Sequence, residues 1–247
     1  MNAFENKVAV VTGASSGIGK SIVSSLAERG ATVCLLGRSR ERLDAVIATV
    51  PLPSSKKIGY EVDLGVEKDI LDAGEKIKRD FGKVDILVHS AGDYMMGEVA
   101  HAHIEDFDRQ YRINMRAPYL LTHILLPLIK SRRGQIVFIN STAGLHARAR
   151  VSQYAATKHA LKAIADSLRE EVNAEGVRVL SVFPGRTATP MQEAVHELEG
   201  KVYRPELFMR PDDVASVVMN ALSLPRSAEV TDIMVRPFIK LKPSTAQ

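Results

Sequence analysis

Short apolar runs alternate with longer amphipathic stretches along the whole chain. The runs are rich in valine, isoleucine and leucine, which is typical of strands that are buried on both faces of a sheet. They occupy residues 7–12, 31–36, 84–88, 135–139, 177–183 and 233–235. Their alternation with helix-length stretches predicts a single-domain α/β fold with a doubly wound, mostly parallel sheet and helices on both faces.

Two stretches, residues 105–129 and 152–174, have the length and apolar spacing of long helices. Three other segments follow predicted strands and are expected to line a substrate pocket, because ligands bind at the carboxyl ends of the strands in such sheets. These segments are residues 93–96, 143–153 and 186–210. The third mixes charged and apolar side chains without the pattern of packed helices, which predicts a mobile substrate lid over residues 186–210.

Composition supports one globular domain spanning residues 1–247. Hydrophobic residues make up 45% of the chain and charged residues 25%, which suits a well-buried core. The single cysteine, Cys34, excludes an internal disulfide, and its place in an apolar run predicts a buried thiol. The N-terminus has no apolar signal core, and the longest apolar span, residues 119–129, is too short to cross a bilayer. A cytoplasmic protein without membrane contact is therefore expected, with a polar tail at residues 242–247.

The net charge of +4 raises the question of a nucleic-acid partner. Basic residues are interspersed with acids, and the basic clusters at residues 38–42 and 148–150 lack interleaved aromatic side chains. The pattern therefore predicts no nucleic-acid binding. His101 and His103 are close in sequence, but they have too few further ligands nearby, so no metal site is expected.

A glycine-rich turn separates the first strand from the first helix. Glycines allow the main chain to turn tightly and to approach a pyrophosphate, which then lies where the N–H groups and the dipole of the helix favour anions. The expected contacts are Gly13, Ser15, Ser16, Gly17, Ile18 and Gly19. The order of strand, glycine turn and helix predicts a dinucleotide cofactor, and a purely structural turn is the alternative.

The residues after the second predicted strand bear on the choice of dinucleotide. An NAD site usually places a carboxylate there for the ribose 2′-hydroxyl, whereas an arginine suits the 2′-phosphate of NADP. Gly37 offers no carboxylate and Arg38 offers a guanidinium, so NADP(H) is predicted, with NAD(H) as the alternative. In a second interpretation, Ser39 caps a helix and the arginines form its solvated first turn.

Tyr154 and Lys158 are four residues apart in the second long helix, so they share one face of it. A phenol has an ordinary pKa of about 10, and lowering it by roughly three units takes ~4 kcal/mol. A unit charge roughly 4 Å away, at an effective dielectric constant of about 20, supplies nearly that much. Lys158, helped by an oxidised nicotinamide, is therefore expected to make Tyr154 a general acid/base, while the Ser141 hydroxyl holds the substrate oxygen. Such a pair also occurs on ordinary half-exposed helices.

Taken together, these motifs resemble the short-chain dehydrogenase/reductase family over nearly the whole chain, from residue 7 to about residue 237. Residues 12–19 match the cofactor turn of the family, and Ser-Ala-Gly at residues 90–92 stands where the family usually has Asn-Ala-Gly. The catalytic tetrad of the family matches Asn114, Ser141, Tyr154 and Lys158. The resemblance implies a fold of the Rossmann type.

The resemblance also implies roles for these residues. Tyr154 is the general acid/base, Ser141 polarises the carbonyl, and Lys158 both bonds the nicotinamide ribose and lowers the tyrosine pKa. Asn114 anchors a water that links Lys158 to solvent. Further implied cofactor contacts are Asp63, Leu64, Ala91, Gly92, Pro184, Gly185, Thr187 and Thr189. Two positions depart from the family: Ser90 replaces an asparagine that supports the strands, and Thr187 replaces a branched apolar residue.

The sequence thus predicts an oxidoreductase, a carbonyl reductase that transfers a hydride between NADP(H) and a small to medium ketone or aldehyde. The alternatives are a non-catalytic NADP(H)-binding sensor of the same fold, and an epimerase or dehydratase that uses the same tyrosine and lysine. Similar proteins pair their long helices between subunits, so a homodimer or homotetramer is expected, although packing within one chain would also explain these helices. Arg148, Arg150 and Arg186 either contact an anionic substrate group or face water.

Overall fold

The computed structural model describes residues 4–53 and 56–239, so the predicted tail at residues 242–247 lies outside the described residues. Within these residues a seven-stranded, fully parallel sheet has the strand order β3-β2-β1-β4-β5-β6-β7. The strands are β1 (Val8–Thr12), β2 (Thr32–Gly37), β3 (Lys57–Glu61), β4 (Ile86–His89), β5 (Gln135–Ile139), β6 (Arg178–Pro184) and β7 (Asp232–Val235). The predicted doubly wound parallel sheet is confirmed.

Helices cover both faces of this sheet. They are α1 (Gly17–Glu28), α2 (Arg40–Thr49), α3 (Glu67–Phe81), α4 (Ile104–Tyr111), α5 (Ala117–Ser131), α6 (Ser152–Val172), α7 (Pro190–Glu199) and α8 (Pro211–Leu222). Apolar side chains of α1, α2 and α8 form one core with the sheet, and those of α3, α5 and α6 form the second core on the opposite face. A π-helical turn, Arg112–Arg116, joins α4 to α5, so the first predicted long helix is continuous.

The hydrophobic pattern did not predict β3. This strand pairs with β2 alone, at the edge of the sheet, and only Gly59 is buried among its five residues. An edge strand that carries Lys57 and Glu61 has no continuous apolar run, because it needs no cover on both faces. The other strands begin or end within two residues of the predicted runs.

The side of β1 on which new strands join the sheet changes at β4. The first three strands extend the sheet to one side of β1, and the later four extend it to the other side. The loops that follow β1 and β4 therefore diverge, and they leave a crevice at the carboxyl end of the sheet, where ligands bind in folds of this kind.

Asp85 joins the amino ends of β1 and β4 at the opposite edge of the sheet. Its carboxylate is 3% exposed and accepts hydrogen bonds from Val8 N at 3.0 Å, Lys7 Nζ at 3.2 Å and Arg132 Nε at 3.3 Å. Burial works against the charge, but these three donors outweigh it and hold the pKa of Asp85 below its ordinary value.

Replacing Asp85 by alanine is expected to lower the free energy of unfolding at pH 7 by about 2 kcal/mol, because the Val8 N–H and two cations lose their acceptor. A depressed carboxyl pKa stabilises the fold above the unfolded-state pKa of about 4, and this contribution disappears as the pH falls through the lower native value. The wild type and Asp85→Ala should therefore converge in urea unfolding as the pH falls below about 4.

The matched control is Asp44→Ala, which removes the half-exposed partner of Arg40 on α2. An exposed i,i+4 pair contributes about 0.5 kcal/mol at most, so this variant should unfold nearly like the wild type. Equal losses in the two variants at pH 7 would contradict the role assigned to Asp85.

Three further findings concern composition. Cys34 is fully buried in β2, as predicted, and burial raises the pKa of its thiol. No helix within residues 4–53 and 56–239 has both the length and the apolar character needed to span a bilayer. The same ranges contain no group of three or more His, Cys, Asp or Glu residues that could hold a metal ion.

Candidate active site

A cavity of about 500 Å³ opens at the carboxyl ends of β1, β2, β4, β5 and β6. All the residues predicted to bind the cofactor line this cavity, and so do Ser141, Tyr154 and Lys158. Asn114 is buried behind the wall, where its Oδ1 atom lies 3.5 Å from the position that a Cβ on Gly92 would take. The fold thus brings all the predicted site residues to one crevice.

The glycine turn after β1 leaves no room for side chains at two positions. Gly13 has a φ of +63°, and a Cβ there would lie 2.8 Å from the Ala91 backbone. A Cβ on Gly19 would lie 2.3 Å from the Gly13 carbonyl oxygen. The Ser16 side chain does not cap α1 within the described structure, so the N–H groups of the first turn remain available to an anion. This geometry suits a pyrophosphate group.

Thr12 holds the loop after β4 beside the glycine turn. Its Oγ1 atom accepts hydrogen bonds from Ser90 N at 3.0 Å and from Ala91 N at 3.1 Å. The main chain at this point is therefore supported from β1. The serine that replaces the usual asparagine at position 90 leaves that support in place.

The basic residues after β2 divide into two groups. Arg38 and Arg42 line the cavity, together with Ser39. Arg40 instead bonds to the Asp44 carboxylate at 2.6 and 2.9 Å and to the Gly59 carbonyl at 2.9 Å. Ser39 also caps α2 as the second interpretation predicted, since its Oγ accepts from Arg42 N. The capping role of Ser39 is confirmed, and the contact of Arg38 with a 2′-phosphate stays a prediction. Arg42, which was not named from the sequence as a cofactor contact, also lines the cavity.

Tyr154 and Lys158 lie on α6, 8% and 3% exposed respectively. The Lys158 Nζ atom is 5.8 Å from the centre of the Tyr154 ring and donates to the Ile139 carbonyl at 3.1 Å. Among the described residues that carbonyl is the one partner found for Nζ, so two of the three ammonium protons remain available to a ligand.

The pKa values of this pair run against the sequence argument in the ligand-free protein. Burial raises the pKa of Tyr154 to about 12, and a hydrogen bond with Ser141 lowers it in part. Burial also lowers the pKa of Lys158 to about 8. The cost of burying a phenolate is the largest influence on this pKa, and the prediction from spacing and charge left it out. At neutral pH the phenol is protonated.

Ser141 is oriented by its own main chain. It follows β5 in an extended conformation, and its Oγ accepts from Ala143 N at 3.1 Å. The hydroxyl proton is then directed away from this amide and can be donated to the phenol or to a substrate oxygen.

Asn140 connects Ser141 to α6, and it was not identified from the sequence. Its Oδ1 atom accepts from Ser141 N at 2.9 Å, and its Nδ2 atom donates to the Lys158 carbonyl at 3.1 Å. The signal in the sequence was weak, because one asparagine after an apolar run is more often a turn residue.

Asn114 lies in the π-helical turn between α4 and α5 and is 1% exposed. Its Oδ1 atom accepts from Asp93 N at 2.7 Å, and its Nδ2 atom donates to Asp93 O at 2.8 Å and to Thr157 Oγ1 at 3.2 Å. The side chain therefore joins the loop after β4 to α6. The anchoring of a water by Asn114 stays a prediction.

The half of the cavity beside Tyr154 contains an aromatic residue from the segment 93–96, which was expected to line the pocket. Tyr94 packs its ring edge-on against Tyr154, with the ring centres 4.9 Å apart. Other lining side chains are Met96, Ala143, His146, Arg148, Val151, Met191, Gln192 and Val195. They come from the three segments expected to form the pocket.

The predicted lid, residues 186–210, has regular structure. Its two ends meet in a bridge between Thr187 and Met209, and α7 and a short 3-10 turn, Pro205–Leu207, lie between them. The inward face of α7 forms part of the cavity wall. Its predicted mobility stays a prediction.

Known proteins are similar to this chain in sequence and in fold. The family model described as short chain dehydrogenase matches residues 7–200. The chain is 32% identical to an uncharacterized oxidoreductase of Staphylococcus epidermidis, covering 96% of this chain and all of the relative. A similar oxidoreductase of Staphylococcus aureus is also 32% identical over 96% of this chain and all of that protein.

Two solved structures match nearly the whole chain. An alcohol dehydrogenase from the archaeon Thermococcus sibiricus, complexed with 5-hydroxy-NADP, has a TM-score of 0.85 at 26% identity, covering 96% of this chain and 98% of that one. A 3-ketoacyl-(acyl-carrier-protein) reductase from Brucella melitensis, complexed with NADH, has a TM-score of 0.82 at 28% identity, covering 94% and 97%. Relatives of this chain therefore bind NADP-type or NAD-type cofactors in the same fold.

Proposed function

The chain belongs to the short chain dehydrogenase family, and from this premise we propose that it transfers a hydride between NADP(H) and an alcohol or carbonyl substrate. One observation carries the proposal. Tyr154, Ser141 and Lys158 line the same cavity as a glycine turn whose helix N-terminus is open to a pyrophosphate. A dinucleotide bound along this cavity would have one end at Arg38 and the other beside Tyr154.

The residues of the chain supply the proton and the positioning. NADP(H), when bound, supplies or accepts the hydride at the substrate carbon. In the direction of reduction, Ser141 donates a hydrogen bond to the carbonyl oxygen, and Tyr154 gives its proton to that oxygen as the hydride reaches the carbon. With a pKa of about 12, the Tyr154 phenol carries the transferable proton at pH 7, as it would at its ordinary pKa.

Lys158 acts on both the cofactor and the tyrosine in this proposal. Its two remaining ammonium protons suit ribose hydroxyls, and its positive charge stabilises the phenolate that is left after proton transfer. For alcohol oxidation, the phenol has to lose its proton first, and the positive charge of an oxidised nicotinamide would assist this ionisation. Asn114 holds the loop after β4 against α6 and so fixes the position of that loop relative to Tyr154 and Lys158.

The preference for NADP(H) rests on Arg38 and Arg42. Both line the end of the cavity beyond the glycine turn, and neither has a carboxylate within 4 Å among the described residues. Two unpaired guanidinium groups suit the two negative charges of a 2′-phosphate and give nothing comparable to a 2′-hydroxyl. Asp63 lines the same part of the cavity, but its Oδ1 atom is engaged by Gly65 N at 2.8 Å.

The proposed activity is tested with a panel of ketones and aldehydes and NADPH, followed by the loss of absorbance at 340 nm. Turnover of at least one carbonyl compound is expected. Tight NADPH binding together with no turnover across the panel would favour the alternative, a non-catalytic sensor of the cofactor.

A homodimer or homotetramer is part of the proposal. The long helix formed by α4 and α5 leaves two aromatic side chains, Tyr111 and Tyr119, 42% and 57% exposed. Aromatic side chains on a helix surface are typical of contacts between subunits.

A further inference from the structure

Arg186 stands where the chain leaves β6 and enters the lid. Its side chain turns back under α7, although it also lines the cavity and is 39% exposed. The two possibilities named from the sequence, contact with an anionic substrate group or with water, stay predictions. Nη1 donates to His196 Nε2 over 3.0 Å, and Nη2 donates to both carboxylate oxygens of Glu199 at 3.0 and 3.1 Å. One side chain at the end of the sheet thus contacts the last turn of the lid helix.

His196 is prepared to accept this bond. It is 3% exposed, and its Nδ1 atom donates to the Gln192 carbonyl at 2.7 Å, which leaves Nε2 as the acceptor for Arg186. The rings of Tyr203 and Phe208 pack against the imidazole with centres 5.4 and 5.1 Å away. The contact therefore lies in a small cluster of partly buried side chains around the buried imidazole.

Glu199 supplies the charged part of the contact. Burial opposes its ionisation, but Lys201 and Arg186 outweigh this effect and hold the pKa of Glu199 below its ordinary value. The carboxylate stays negative at neutral pH, and a guanidinium that bonds both of its oxygens forms a charge-assisted contact of defined geometry. The cation also lies at the C-terminus of α7, where the helix dipole favours it.

At the base of the lid, backbone hydrogen bonds join its two ends to each other. There Ala188 N donates to Met209 O at 2.8 Å, and Met209 N donates to Arg186 O at 3.2 Å. These bonds do not involve α7, whose Met191 methyl group lies 3.5 Å from the position that a Cβ on Gly92 would take. The contact of Arg186 with Glu199 and His196 adds a polar connection between the base of the lid and the last turn of α7.

We propose that Arg186 is a positioning residue that holds α7 over the substrate half of the cavity before any ligand binds. The wall formed by Met191, Gln192 and Val195 is then in place when the substrate arrives. A preformed wall lowers the entropy cost of substrate binding, so the effect falls on the KM of the carbonyl substrate. This kinetic consequence rests on the proposed function, whereas the position of α7 does not.

Hydrogen exchange measures the position of α7 without turnover. In Arg186→Met, the amide hydrogens of α7 should exchange at least about tenfold faster than in the wild type, while those of β6 and α8 keep their rates. The matched control is Lys201→Met, which removes the other cation on Glu199 and leaves the contact with the sheet intact. That control should exchange like the wild type. Unchanged α7 exchange in Arg186→Met, or equal acceleration in both variants, overturns the proposal.

Kinetics separate positioning from chemistry. Arg186→Met should raise the KM for the carbonyl substrate about tenfold and leave kcat within about threefold, because it removes no group that moves a proton or hydride. Arg186→Lys should recover part of the loss, since an ammonium still pairs with Glu199 but cannot also bond His196. A fall in kcat with unchanged KM overturns the proposal. Faster α7 exchange in a protein that reduces no carbonyl compound would refute the proposed function and support the position of α7.

Discussion

Tyr154→Phe is expected to lower kcat for carbonyl reduction by about 10²- to 10⁴-fold, because it removes the proton donor and keeps the ring. The phenol is buried beside Ser141, with a pKa of about 12, so it holds its proton at neutral pH and can give it to the substrate oxygen. The phenylalanine ring fills the same space against Tyr94, so the cavity keeps its shape. NADPH binding, measured by fluorescence titration, should change little.

The matched control is Tyr119→Phe, which removes a phenolic hydroxyl from the exposed face of α5. It should keep the wild-type kcat and the wild-type dissociation constant for NADPH. If Tyr154→Phe kept the wild-type kcat as well, a different group would have to donate the proton, and the proposed mechanism would be discarded.

Arg38→Ala is expected to raise the KM for NADPH by about 10- to 100-fold and that for NADH by no more than about threefold. The lost contact is a charge-assisted bond to the 2′-phosphate, worth about 1.5–3 kcal/mol, and each 1.4 kcal/mol is about tenfold in affinity. Because Arg38 is exposed, salt weakens this contact, so the difference between the cofactors should shrink as ionic strength rises.

Arg40→Ala is the control for this prediction. Arg40 lies two residues further along and has the same charge, but it bonds Asp44 and Gly59 away from the cavity. Its removal changes the net charge by the same amount as the removal of Arg38, so a general electrostatic effect on both cofactors would appear in both variants. A loss confined to NADPH and to Arg38→Ala identifies a local contact. An equal loss for NADPH and NADH in Arg38→Ala would show that Arg38 does not read the 2′-phosphate.

Much of the site could be predicted because its signals are local. The glycine turn lies between a buried apolar run and an amphipathic helix, and Tyr154 and Lys158 share a helix face by spacing alone. Ser141 directly follows a predicted strand, so the fold class was sufficient to place it at the carboxyl edge of the sheet. These inferences require only the spacing of side chains along helices and strands and the residue types that favour a short turn.

Other features depend on residues that are distant in sequence. The sequence shows three arginines after β2 but not that Asp44 and Gly59 draw Arg40 away and leave Arg38 and Arg42 in the cavity. Asn140 acts through a carbonyl eighteen residues further along the chain, in α6. No pattern in the sequence marks such a bond.

By itself, the sequence determined the parallel sheet, the glycine turn after the first strand and the set of candidate site residues, because each follows from residue type and spacing within a short window. Only the tertiary structure decided the protonation of Tyr154 and the direction taken by Arg186. Both depend on burial and on partners supplied by other elements: the cost of placing a charge in a low-dielectric interior is set by everything packed around it. That packing arises only when the helices and strands come together.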